Sequence, residues 1–239
     1  TGGEAHLNLF YIATSPSAIF VDLEFTLTNG TVITSAQLLT TATHRARVDL
    51  TSIGGLPLDE YFSIHYTSRN LVTPVTATYD AEVAGDSIST PFMTMTTGKV
   101  AFADGYTDPT LSAAQESETI SVFNPYAHNV NFLYDLLFHF SDGDVIYASG
   151  GPSFNLDSRM RADHQARDFP TVMAKINANP AFRFYSVEVV SVQFTFPIPL
   201  GGVVAQLTRI HNTWGQSLTT GPGMDPRLPL VFMENPAFH

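Results

Sequence analysis

The chain uses one short pattern twice, and this repetition limits the folds that are open to it. Met95-Thr-Thr-Gly98 and Leu218-Thr-Thr-Gly221 are each followed by an apolar segment, at residues 99–107 and 230–236. A chain that closes a segment and opens the next in the same way is expected to repeat one structural unit. We therefore predict an internal duplication.

Turn and charge signals recur at similar spacing in the two halves. The glycines of two predicted turns, Gly30 and Gly143, are 113 positions apart. Two arginine pairs recur 114 positions apart, namely Arg45 with Arg47 and Arg159 with Arg161. Small loop insertions would produce such drifting offsets in a duplicated chain. The spacing predicts that Gly30 superposes on Gly143 and Arg47 on Arg161.

Most segments alternate apolar and polar residues with a period of two. Residues 19–28 do so most clearly and lead into Asn29-Gly30, the strongest short signal for a β-hairpin. Many short strands separated by turn residues are typical of β-sandwiches. We predict an all-β chain of two tandem β-sandwich domains from an internal duplication, with a C-terminal extension strand.

The same signals set the domain boundaries. The first sandwich is expected at residues 1–98, the second at 99–221 and a tail at 222–239. Val172, Met173 and Ile176 have helical spacing and follow Pro170, a residue suited to a first helical turn. One short helix is therefore predicted near residues 170–178.

Composition excludes several functions. The net charge is −11 with only 11 lysines and arginines, which leaves no basic surface for nucleic acid. No apolar run approaches the roughly 18 residues of a membrane helix, so no membrane insertion is expected. The absence of cysteine excludes disulfides and cysteine-bound zinc. From Thr1-Gly-Gly we expect a processed protein at the cell surface or outside the cell, after removal of a signal peptide.

Catalytic and metal motifs are weak. The segment Gly150-Gly-Pro-Ser153 lacks the second glycine of a serine-nucleophile turn. The pairs Asp142 with Asp144 and Asp104 with Asp108 could ligate Ca²⁺, but solvated turn carboxylates are the favoured interpretation. We therefore predict no catalytic residue, no cofactor and no metal, in a protein that is not an enzyme.

Four turn and strand signals of the second half also occur together in other proteins. They are Phe102-Ala-Asp-Gly-Tyr-Thr107, Asn124-Pro125, Asp142-Gly143 and Ser158-Arg159. This set resembles tandem β-sandwich repeats of exported bacterial cell-surface proteins, a largely uncharacterised family, and the first half departs from it at its turns. The resemblance implies export and a structural or adhesive role, and it brings no catalytic residues.

The arginine pairs are candidates for an assembly interface. Arg45, Arg47, Arg159 and Arg161 could pair with carboxylates of a neighbouring strand or subunit. They could equally protect exposed edge strands by their charge. Both interpretations remain open from the sequence.

The tail is the second candidate interface. The second half begins with an apolar segment, Val100 to Ala103, that the first half lacks. Residues 228–233 lie where a third repeat would begin with the same kind of segment. The tail strand could complete the first sandwich, either in its own chain or in the next molecule, through Leu228, Leu230, Val231, Phe232 and Met233. The short proline-containing connector favours the next molecule, which gives head-to-tail assembly.

The expected function is that of a structural, self-assembling extracellular protein in a surface layer, filament or matrix, whose partner is itself. The alternative is a carbohydrate-binding or adhesin module with surface glycans as its partner. A glycoside hydrolase would require two carboxylates in a cleft, which sequence cannot locate.

Overall fold

A computed structural model describes residues 5–11, 18–39, 45–57, 62–69, 75–83, 86–91, 98–124, 126, 132–194, 204–211 and 217–222. Within these ranges the chain forms sixteen β-strands and one α-helix, and all strand pairs are antiparallel. The predicted all-β class is confirmed. In the described part of the chain, no helix is long and apolar enough to span a membrane.

The first sandwich contains two sheets. Its strands are β1 (Ala5–Tyr11), β2 (Ile19–Leu27), β3 (Val32–Leu39), β4 (Arg45–Asp49), β5 (Phe62–Ser68), β6 (Val75–Val83) and β7 (Asp86–Pro91). The sheet orders are β4-β1-β6-β7 and β3-β2-β5. Alternate residues of β2 from Ile19 to Phe25 point inward and pack with Leu7 and Leu9 of β1. The period-two pattern thus places one face of each sheet in a shared core.

The second sandwich has its own core. Its strands are β8 (Lys99–Tyr106), β9 (Glu116–Phe123), β10 (Phe132–His139), β11 (Val145–Tyr147), β12 (Phe154–Leu156), β13 (Arg161–His164), β14 (Phe184–Phe194), β15 (Val204–His211) and β16 (Ser217–Pro222). The sheet orders are β11-β10-β14-β8, with β12 also beside β10, and β13-β9-β15-β16. Helix α1 (Pro170–Ala178) begins with Pro170 and buries Val172 and Ile176 in this core.

The two sandwiches have the same strand order. The sheet β4-β1-β6-β7 corresponds to β13-β9-β15-β16, and β3-β2-β5 corresponds to β11-β10-β14. The hairpins after β2 and β10 also match: the N–H of Gly30 donates to the Leu27 carbonyl, and that of Gly143 to the Phe140 carbonyl. Both glycines have positive φ, 83° and 91°, a backbone conformation that glycine adopts without strain. Strand β8 has no counterpart among the described strands of the first sandwich.

The arginines do not match as their spacing suggested. The Arg45 guanidinium donates to Asn8 Oδ1 on β1, and the Arg161 guanidinium donates to Ser121 Oγ on β9, 113 positions after Asn8. Arg45 therefore corresponds to Arg161, and Arg47 corresponds to Asp163. The predicted superposition of Arg47 on Arg161 is wrong by two residues. A two-residue shift keeps a side chain on the same face of its strand, so the alternating pattern could not reveal it.

Candidate functional site

The second sandwich contacts the first through a turn that precedes β13. Arg159 Nη1 lies 2.6 Å from Glu24 Oε2, which is on the outer face of β2. Arg159 has a φ of 61°, the left-handed region that non-glycine residues rarely occupy. This left-handed residue thus carries a side chain that bridges the two sandwiches.

A histidine lies beside this ion pair. His65 of β5 is opposite Glu24 in the strand register, and its Nδ1 is 3.6 Å from Glu24 Oε2, too far for a hydrogen bond. Burial, together with the Arg159 guanidinium, lowers the pKa of His65, while Glu24 acts in the opposite direction. The lowered pKa favours the neutral form of this imidazole beside the ion pair.

Arg161 adds a second bridge. Its Nη1 donates to the backbone carbonyl of Phe62 in the first sandwich at 3.0 Å. Its Nε donates to Asp163 Oδ1 and its Nη2 donates to Ser121 Oγ, each at 2.8 Å. Because the planar guanidinium is fixed on three sides, Arg161 positions the start of β13 against the first sandwich.

Two further contacts complete the junction. A Cβ added at Gly30, in the β2–β3 hairpin, would lie 3.4 Å from Met160 Sδ. Strands β7 and β16, the last of each sandwich, lie against each other. The two sandwiches therefore also touch at the β2–β3 hairpin and at these two edge strands.

The arginines of the first sandwich lie elsewhere. Arg45 contacts Asn8 of its own sheet at 2.8 Å, and Arg47 lies close enough to Asp49 to help lower the pKa of that carboxyl, after the larger effect of Thr51. Both arginines are exposed on β4, an edge strand of its sheet. The tail candidates Leu228, Leu230, Val231, Phe232 and Met233 lie outside the described residues.

A buried polar network occupies one end of the second sandwich. Glu118 Oε2 accepts from Arg209 Nη2 at 2.7 Å and from the Tyr106 N–H at 2.8 Å, and Oε1 accepts from the Tyr185 hydroxyl at 2.9 Å. The Tyr185 and Thr107 hydroxyls are 2.8 Å apart. Burial raises the pKa of Glu118, and Arg209 offsets part of this effect.

Glu116 extends the network. Its side chain is almost fully buried, and Oε2 accepts from the Asp108 N–H at 2.8 Å and from Arg167 Nη2 at 3.3 Å. Arg183 Nη1 donates to Asp108 Oδ2 at 2.9 Å. Arginine side chains and backbone N–H groups thus bind the carboxylates of this network, which belong to Asp108, Glu116 and Glu118.

The sequence did not predict this network, although β9 contains a signal for it. Along β9, residues Glu116 and Glu118 continue the inward face that Ile120 and Val122 occupy in the core. A carboxylate at an inward position must be paired if it is to remain charged. The two glutamates therefore predict buried cations, but only the fold selects Arg167 and Arg209 as those cations.

The aspartate pairs considered for Ca²⁺ have other partners. Lys175 of α1 contacts both Asp142 and Asp144 and fixes the helix to the β10–β11 turn. Asp108 pairs with Arg183, and Asp104 Oδ2 is 3.6 Å from Arg209 Nη1. Among the described residues, no group of three or more potential ligand side chains is placed to hold a metal ion.

An aromatic pair lies beside the polar network. The rings of Tyr106 and Phe184 are 4.8 Å apart, and Phe184 is 62% exposed. Burial raises the pKa of the Tyr106 hydroxyl, and Asp108 acts in the same direction while Arg183 opposes it. An exposed ring beside polar groups is a surface on which a sugar could stack.

Comparisons with known proteins add little. No family model matches the chain, and no curated protein sequence is similar to it. The solved Thermotoga maritima protein 1070 is 17% identical with a TM-score of 0.38, over 55% of this chain and 96% of that protein. An Anabaena sensory rhodopsin transducer is 17% identical with a TM-score of 0.32, over 49% of this chain and 100% of that protein. Neither similarity is close enough to bear on function.

Proposed function

We propose that this chain is a structural subunit, outside the cell, that assembles with itself into a surface layer, filament or matrix. The observation that carries the proposal is the junction between the two sandwiches. Arg159 binds Glu24, Arg161 binds the Phe62 carbonyl, and β7 contacts β16. A subunit of an extended assembly has to keep its ends in a fixed relative position, and a junction fixed by several contacts serves that purpose.

The mode of assembly is strand addition. Strand β8 pairs with β14 from Lys99 opposite Val190 to Tyr106 opposite Phe184. The second sandwich thus includes one strand, β8, at its N-terminal end that has no described counterpart in the first sandwich. The tail segment 228–233 has the same place relative to the second sandwich that β8 has relative to the first. In a neighbouring molecule it would supply the strand that corresponds to β8, in a heterologous contact that builds chains.

The buried carboxylates support a structural role over hydrolysis. A glycoside hydrolase needs one carboxyl to donate a proton and another to act as base or nucleophile in a cleft. Glu116 and Glu118 instead accept hydrogen bonds from arginines, a tyrosine and backbone N–H groups in the protein interior. Groups engaged in this way stabilise the end of a sandwich.

Removal of the tail tests the proposal. A protein lacking residues 223–239 keeps all sixteen described strands, so we expect it to remain folded. It should form no filaments of linked subunits in negative-stain micrographs. In the full chain, Phe232→Asp should have the same effect because it places a charge within the added strand, whereas Phe238→Asp, outside that strand, should not. Chains formed by the truncated protein, or a full-length protein that stays monomeric at high concentration, would rule the proposal out.

The alternative function is carbohydrate binding at the cell surface. The exposed pair of Tyr106 and Phe184, beside Asp108 and Arg183, is the observation that favours it. Binding to a glycan array should then be lost in Phe184→Ala and retained in Val192→Ala, which removes another exposed apolar side chain of β14. Absence of any glycan signal from the intact protein would remove this alternative.

A further inference from the structure

Strand β3 is a sheet edge without the usual protection. Its eight residues, Val-Ile-Thr-Ser-Ala-Gln-Leu-Leu, contain no charge and no proline. Exposed edge strands normally carry charged residues, prolines or bulges that prevent pairing with another chain. The edge strand β4 has Arg45, Arg47 and Asp49, and the edge strand β13 has Arg161 and Asp163.

The outer side of β3 offers regular backbone groups. The Thr31 carbonyl accepts from the Leu27 N–H of β2, so alternate residues from Ile33 onward face β2. Val32, Thr34, Ala36 and Leu38 therefore direct their N–H and C=O groups away from the sheet. Within the described residues these outward groups have no hydrogen-bond partner. An unpaired edge of this length is a template for another strand.

The corresponding edge of the second sandwich is interrupted. Strand β11 has only three residues and is followed by the turn at Gly150 and Gly151 and by Pro152. The next strand, β12, pairs with the opposite end of β10. Two sandwiches with one strand order thus differ at this edge: one is broken by a turn and the other is continuous.

We propose that β3 pairs with β3 of a second copy, antiparallel and across a twofold axis. Pairing centred on Ser35 places Val32 opposite Leu38 of the other copy and Thr34 opposite Ala36, and it forms about eight backbone hydrogen bonds. Val32 and Leu38 are 47% and 46% exposed, and Phe20 lies opposite Leu38 on β2. The contact therefore joins apolar side chains on one face of a continuous six-stranded sheet.

The composition of β3 selects a second copy as its occupant. Each molecule carries a net charge of −11, so the repulsion between two copies is weakest where their facing surfaces lack charge. The centred register pairs apolar with apolar residues and small with small residues, and it places no like charges opposite each other. This inference rests on the proposed self-assembly and gives it a lateral contact, distinct from the head-to-tail contact of the tail.

A cysteine at the symmetry axis tests the register. The chain has no cysteine, so Ser35→Cys introduces a single thiol. In the centred register the two Ser35 residues form a non-hydrogen-bonded pair with Cα atoms about 4.5 Å apart, close enough for a disulfide. Mild oxidation of the full chain should give a covalent dimer, whereas Ser141→Cys in the β10–β11 turn should not. Equal crosslinking of both variants, or none of Ser35→Cys, overturns the register.

A proline at the outward edge tests the contact itself. The Ala36 N–H has no partner among the described residues, so Ala36→Pro removes an intermolecular donor without removing a hydrogen bond of the described sandwich. Its matched control, Ala36→Val, keeps the N–H. We expect loss of lateral pairing in Ala36→Pro alone, seen as unpaired filaments in micrographs and as a lower sedimentation coefficient.

Identical behaviour of the two variants overturns the lateral contact, whereas the proposed self-assembly is unaffected by that result. A wild-type protein that never assembles overturns both proposals. Lateral pairing that disappears when residues 223–239 are removed assigns the edge to the tail and also overturns the inference.

Discussion

The Arg159 guanidinium of the second sandwich lies 2.6 Å from the Glu24 carboxylate of the first, 135 positions away in the chain. Both side chains are about one quarter to one third exposed, so the pair is only partly shielded from water. Exposed ion pairs contribute about 0.2–1 kcal/mol. The pair is therefore expected to affect the relative position of the two sandwiches more than their free energy of unfolding.

We predict that Arg159→Gln broadens the distribution of distances between the sandwiches. Spin labels on cysteines introduced one per sandwich would measure this broadening. Arg69→Gln is the matched control, because Arg69 pairs with Asp22 on the same sheet face but within one sandwich. In a double-mutant cycle with Glu24→Gln, the coupling should be about 0.5–1 kcal/mol. Equal distributions for the two arginine variants would contradict the assigned role of Arg159.

The buried Glu118–Arg209 pair should behave differently. Glu118→Leu leaves the Arg209 guanidinium without its carboxylate, and the expected loss is about 3–5 kcal/mol of unfolding free energy. The double variant Glu118→Leu with Arg209→Met removes both charges and should lose clearly less than the sum of the single variants. Urea unfolding measures all three. Additive losses would show that the two residues do not act as a pair.

Gly105 of β8 lies too close to Tyr185 for any side chain. A Cβ at this position would be 2.4 Å from two ring carbons of Tyr185 and 2.9 Å from its carbonyl oxygen. We expect Gly105→Ala to cost about 1–3 kcal/mol through overpacking and displacement of the Tyr185 ring. Gly54→Ala is the control, since its Cβ would meet no atom of the described residues within 4 Å. Thermal unfolding should separate the two variants, and equal stability would contradict the close approach of β8 and β14.

His164 should make the second sandwich sensitive to acid. Burial lowers the pKa of this imidazole from 6.5, against the effects of Asp168 and Asp163. The unfolded chain then binds a proton more readily than the folded one, so the contribution of His164 is fully present above about pH 6.5 and is lost as the pH falls through the lowered value. Between pH 7 and 5 the stability of His164→Gln should fall less than that of the wild type.

Tyr134→Phe is the control for this pH dependence. It removes the 2.7 Å hydrogen bond between the Tyr134 hydroxyl and His164 Nε2 but keeps the titrating imidazole. Its stability should be lower at every pH, with the acid dependence retained. A His164→Gln variant with the same acid dependence as the wild type would show that other groups cause the effect.

The sequence was informative where the signal is local. The alternation at residues 19–28 and the Asn29-Gly30 turn correspond to β2 and its hairpin, and Val172 and Ile176 are the buried residues of α1. These features depend on residues within a few positions of each other, because side-chain direction follows the period of the strand or helix. The recurrence of the turn glycines likewise corresponds to one strand order used in both halves.

Only the tertiary structure determined which distant residues meet. The correspondence of Arg45 with Arg161 depends on how β4 and β13 are registered against their neighbours, and a shift of two residues leaves the alternating pattern unchanged. The cations that neutralise Glu116 and Glu118 come from segments about 50 and 90 positions away. The sequence by itself determined strands, turns and the repeat, since these follow from local periodicity; strand register, the inter-sandwich bridge and the buried ion pairs depended on long-range packing, which no local pattern encodes.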